Sequence, residues 1–111
     1  MNSEGKKKIL RIYIDSNDKH NSKPLWEEIL HLAKENSLAG ATVFKAIAGM
    51  GPTSEIHSFN VFVLSENLPI VIEIIDKETK IRSFLKILDG IVQEGLVTLT
   101  DTEVISYKHK D

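Results

Sequence analysis

The chain has no cysteine, so disulfides and thiolate metal sites are excluded. Charge of one sign is also lacking. With 14 Lys and Arg against 16 Asp and Glu, the formal net charge is −2, which gives no support for an electrostatic nucleic-acid binder, since phosphate neutralisation needs a basic face. Aromatic residues make up only 6% of the sequence, and there are only 3 prolines. Long hydrophobic runs are missing as well. The most apolar stretch, Leu68 to Ile75, is interrupted by Pro69 and Glu73 and is too short to cross a bilayer. The beginning, Met1-Asn-Ser-Glu-Gly-Lys-Lys-Lys8, has no apolar segment of the signal-peptide kind, so a soluble, cytoplasmic protein without membrane insertion is expected. The Lys6-Lys7-Lys8 run is short and reads as a solvated, flexible lead over residues 1–8.

What is present is an ordinary globular mix, 41% hydrophobic and 27% charged over 111 residues, enough for one domain with a single core. Residues 9–14 alternate, with Leu10, Ile12 and Ile14 opposed to Ile9, Arg11 and Tyr13, which predicts a half-buried strand. A polar connection over 15–23 leads to a helix start marked by Ser22 and Pro24. Leu25, Ile29, Leu32 and Ala33 then share one helical face, and Gly40 is positioned to end the helix. A second strand over 41–48 is broken by Gly49, Gly51 and Pro52. A long loop over 50–67 follows, in which Asn60 to Leu64 is β-prone.

Residues 69–75 alternate again, and Asp76 is the expected N-cap of a second helix. That helix buries Ile81, Phe84, Leu85, Leu88, Ile91 and Val92 and is expected to end at Gly95. A last strand over 96–107, bent near Asp101-Thr102, precedes a polar tail at 108–111. The order β-α-β-β-α-β predicts an α+β, ferredoxin-like sandwich: an antiparallel sheet with both helices on one face. The first strand then lies beside the third, making Arg11 and Glu73 cross-strand partners. Their face also carries Ile9, Tyr13, Val71 and Ile75. It is too apolar to stay in water, so Arg11, Tyr13 and Glu73 are candidate interface residues of a self-associating protein.

The segments Gly40-Ala-Thr-Val43 and Gly49-Met-Gly51 resemble the second strand of the PII signal-transduction proteins, where a Gly-x-Thr-Val strand runs into Gly-x-Gly before the T-loop. Leu68-Pro-Ile-Val-Ile-Glu-Ile-Ile75 resembles the strand that returns from that loop. The likeness is closer to a bacterial PII-like family, domain of unknown function one-ninety. Leu10-Arg-Ile-Tyr13, Lys23-Pro-Leu25, Leu38-Ala-Gly-Ala-Thr-Val43, His57 and Gly95-Leu-Val97 carry it along nearly the whole chain. The resemblance implies a homotrimer with sheets packed inward, a small effector in clefts between subunits, and a loop that contacts a protein partner such as a membrane transporter. It makes Thr42, Gly49, Met50, Gly51, Ser54 and His57 the candidate ligand-binding residues. A nucleotide is one candidate cofactor. However, the Arg-Gln that PII proteins usually carry after the second glycine is replaced by Pro52-Thr53, and the lysine-bearing phosphate loop is reduced to Val92-Gln-Glu-Gly95.

From the residues alone, Gly49-Met-Gly51 could offer backbone N–H groups to an anion or merely permit an unusual turn at a strand end. His57 is either a ligand contact and proton-sensitive latch or a solvated loop histidine. His20, His31 and His109 share no ligand spacing. With Glu55, the histidines motivate an alternative, a metal-binding trimer resembling the divalent-cation-tolerance proteins. No catalytic constellation is evident: Glu73 and Asp76 point to opposite faces of a strand, and Ser54 and His57 lack a third group, so a non-enzyme is expected.

Overall fold

The computed structural model describes residues 5–50, 57–58 and 68–110. In chain order the elements are β1 (Gly5–Asp15), β2 (Lys19–His20), β3 (Lys23–Pro24), α1 (Leu25–Glu35), β4 (Thr42–Lys45), β5 (Ala48–Gly49), β6 (His57–Ser58), β7 (Pro69–Asp76), α2 (Glu78–Asp89) and β8 (Leu96–Val104). Four strands make the main sheet in the order β4-β7-β1-β8, with antiparallel pairing throughout. This is the ferredoxin-like arrangement that the sequence pattern predicts.

The core forms because the apolar patterns of four elements converge on one side of the sheet. Leu10, Ile12 and Ile14 on β1 and Ile70, Ile72 and Ile74 on β7 all face the helices and are buried. Leu25, Ile29 and Ala33 on α1, and Ile81, Phe84 and Leu88 on α2, close over them. Trp26 packs against this cluster from its edge.

Several boundaries differ from the sequence pattern. β1 begins at Gly5, because Gly5–Lys8 continue the pairing with β8 up to Val104 instead of forming a free lead. β8 ends at Val104 rather than at Tyr107. The expected second strand is split, β4 ending at Lys45 before the short β5.

Gly40 does not end α1. Ser37 takes the left-handed position at φ 59°, with Ser37 N–H donating to Lys34 O at 3.1 Å and Leu38 N–H to Ala33 O at 3.0 Å. α2 stops at Gly90, leaving Ile91 and Val92 to pack on the core from the following turn. Gly95 has a different role. Its φ is +152°, and a Cβ there would lie 2.6 Å from the carbonyl oxygen of Tyr13. The glycine lets the entry to β8 cross β1 at close range.

Asp76 is not the helix cap. Lys77 occupies that position without a side-chain bond, and Asp76 instead accepts from Lys77 N–H at 2.7 Å and from Ala39 N–H at 2.8 Å. One buried carboxylate thereby ties the α1–β4 connection to the β7–α2 junction.

Candidate functional site

Thr42 opens β4, paired in register with Glu73 of β7. Gly49 lies farther along, on β5, in register with His57 of β6, so those two expected site residues are brought together by a short ribbon. Met50 follows Gly49 and is 73% exposed. Gly51 and Ser54, like the β-prone Asn60 to Leu64, fall outside the described residues. The structure therefore joins Gly49 with His57 and sets Thr42 in a different place, at the far end of the sheet.

Gly49 has a packing reason to be glycine. A Cβ there would meet Cγ of Pro69 at 2.7 Å, at the point where β7 starts. Proline cannot swing aside as a flexible side chain does, so Gly49→Ala is expected to cost about 1–3 kcal/mol. Chemical denaturation would measure it. Unchanged stability would mean that the glycine is there for a ligand alone.

Thr42 lines a cleft of about 420 Å³ at the Ala39 end of the sheet, together with Lys7, Gly40, Ala41, Glu73, Ile75, Asp76, Val104, Ser106 and Tyr107. Lys7, Thr42, Glu73 and Ile75 all lie on the face turned away from the helices, as the register with Ile9, Arg11 and Tyr13 requires. The two carboxylates are already engaged: Glu73 accepts from Arg11 Nε at 3.0 Å, and Asp76 holds its two amides. Lys7 is in no recorded ion pair among the described residues, and the Thr42 and Ser106 hydroxyls complete the polar wall. Such a lining suits a ligand with an anionic group and an apolar or planar body resting on Ile75 and Val104.

On the opposite, helix-facing side, Lys8 pairs with Asp101. Hydrogen bonding to Asp101 raises the Lys8 pKa, and the same bond lowers that of Asp101. Both groups are open to water, so this pair is ordinary surface electrostatics and not a site. Among the described residues, no three His, Asp or Glu side chains cluster as metal ligands.

Among the described residues, none covers the face bearing the cleft. Tyr13 is 36% exposed, Phe44 50% and Leu96 56%, all on this side, and Arg11 and Glu73 form their ion pair in its middle. The predicted cross-strand pairing of Arg11 with Glu73 is observed directly. Sequence reasoning missed Lys7, Asp76 and Tyr107 as cleft residues. Tyr107 was concealed by being read as the last residue of a strand, when it lies beyond the end of β8.

The fold is the ferredoxin-like architecture that PII-like proteins also have. Two solved structures of a nitrogen regulatory PII-like protein, CPII from Thiomonas intermedia K12, superpose on it. The form bound to ADP and bicarbonate matches with a TM-score of 0.69 and 17% identity over 92% of this chain and 91% of that one. The apo form matches with a TM-score of 0.64 and 17% identity over 97% and 100%. The chain belongs to the DUF190 family, described as Uncharacterized ACR, COG1993, whose pattern matches residues 7–104. It is 49% identical over 100 residues to a UPF0166 protein of Aquifex aeolicus, covering 90% of this chain and 94% of the relative. It is 38% identical over 100 residues to the UPF0166 protein MJ1524 of Methanocaldococcus jannaschii, covering 89% and 92%. Among the described residues, no helix is long and apolar enough to cross a membrane.

Proposed function

We propose that this chain is a cytoplasmic, non-enzymatic regulator of the PII-like kind. It assembles as a homotrimer through the uncovered sheet face and binds a small anionic effector in the cleft at Thr42. Residues 50–67 form the surface that meets a protein partner, for which a membrane transporter is one candidate. The observation that carries this reading is that the cleft opens on the uncovered face. A second copy covering Tyr13, Phe44 and Leu96 would supply the missing wall and make the site an intersubunit one. Effector binding would change the partner contact only through a difference in its affinity for two states of the protein. Nucleotides are the first class to test, given the PII-like architecture.

The test is a thermal-shift panel of ADP, ATP, AMP and cyclic nucleotides, with and without magnesium, alongside bicarbonate, copper and zinc. Native mass spectrometry establishes the assembly in parallel. A ligand at a hundred times its Kd stabilises by about 2.7 kcal/mol, which such a scan resolves readily. Stabilisation of a trimer by one anionic class is the expected result, weakened in Lys7→Gln, which removes the cation of the cleft wall, without loss of basal stability. A monomer, or a trimer that responds only to copper or zinc, would overturn the reading.

A further inference from the structure

β8 and β4 lie at opposite edges of the sheet, with β1 and β7 between them. Yet Tyr107, only three residues past the end of β8 at Val104, donates its hydroxyl to the carbonyl of Ala39, just before β4, at 3.0 Å. Three strand spacings make a crossing of about 14 Å. Three extended residues reach about 10 Å, and the tyrosine side chain must span the rest. The tail therefore runs nearly taut across the end of the sheet.

It crosses where the cleft lies: Val104, Ser106 and Tyr107 form one wall, opposite Thr42 and Glu73. Ile105, between them, is 76% exposed and anchors nothing in the described fold. The far attachment is itself held firm, since Ala39 N–H is bound by the buried Asp76 carboxylate. A fixed post, a short crossing and the neutral Tyr107 hydrogen bond, followed by an isolated β-bridge at Lys108, make a latch set apart from the core side chains.

We infer that residues 105–108 are a strap over the cleft, latched by Tyr107 on the Ala39 carbonyl, and that its release gates entry and exit of the effector. The gating role rests on the reading of this cleft as the effector site; the latch itself does not. Tyr107→Phe removes the hydroxyl and keeps the ring, so the fold is preserved.

Hydrogen exchange on the purified assembly reads the latch without any ligand. Amides of residues 38–42 and 104–108 are expected to exchange roughly three- to tenfold faster in Tyr107→Phe, with core amides of β1 and β7 unchanged. Identical exchange in the two proteins would show that no latch exists. Stopped-flow binding of ADP then reads the gate. Association and dissociation should both accelerate in the variant, with Kd changed less than twofold. Faster dissociation alone would make Tyr107 a ligand contact and overturn the gate. Failure of ADP to bind either protein would count against the nucleotide reading of the cleft, and the exchange result would still decide the latch.

Discussion

Gly95→Ala is expected to destabilise the protein by about 3 kcal/mol or more, lowering the melting midpoint by roughly 15 °C at fixed protein concentration. Two costs act together. The residue sits at φ +152°, a backbone region that side chains rarely adopt, and the added Cβ would lie 2.6 Å from the Tyr13 carbonyl oxygen. A backbone atom of a strand paired on both sides cannot retreat alone. Tyr13 is in register with Leu96 on one side and Val71 on the other, so moving it disturbs both ladders. Ile14 Cγ2 at 3.3 Å adds a second close neighbour. Differential scanning calorimetry of the variant measures the loss. A midpoint within a degree or two of the parent would show that the entry to β8 rearranges freely, contrary to the packing described above.

Gly95 also shows where a sequence stops being informative. Its presence after an apolar helical pattern reads naturally as a helix terminator, but α2 ends at Asp89 and the glycine serves a contact with a strand far away in sequence. Gly40 and Ser37 repeat the lesson: the left-handed residue after α1 is a serine, held by two backbone bonds that no composition rule anticipates. Patterns that depend on one face of one element were legible. The alternation in β1 and β7, the Leu25-Ile29-Ala33 stripe and the Ile81-Phe84-Leu88 stripe all point into the core as their spacing requires. From them the strand order and the Arg11–Glu73 pair followed, and both are observed.

The candidate site was less legible, because it is built by elements that meet only in the folded chain. Thr42 and Glu73 sit side by side, but Lys7 arrives from a segment that reads as a solvated lead, and Tyr107 from what reads as a strand end. Asp76 looks like a cap by its position and is in fact a cross-link to Ala39. Gly49 and His57 do meet, through the β5–β6 ribbon, at a distance in register from Thr42 that their shared place in a motif does not convey.

The uncovered face gives the second large effect. Val71 lies on the central strand β7 in register with Tyr13 on β1 and Phe44 on β4, and its side chain points away from the helices. On a lone chain Val71 is half-buried on a central strand, so Val71→Asp would cost about 1–2 kcal/mol in strand propensity and cross-strand packing and leave the fold intact. In an assembly sealed through this face, it would bury an unpaired carboxylate near Glu73, which already holds Arg11. Such a charge costs several kcal/mol at each contact, enough to weaken association more than 100-fold. The expected result is a folded monomer by native mass spectrometry, with helical circular dichroism retained because the Ile70, Ile72 and Ile74 side is untouched. If the cleft is completed by a neighbouring copy, the variant also loses its thermal response to the effector, since the second wall has gone. An assembly that survives Val71→Asp would place the subunit contact elsewhere. A monomer that still binds the effector with parental affinity would make the cleft sufficient within one chain.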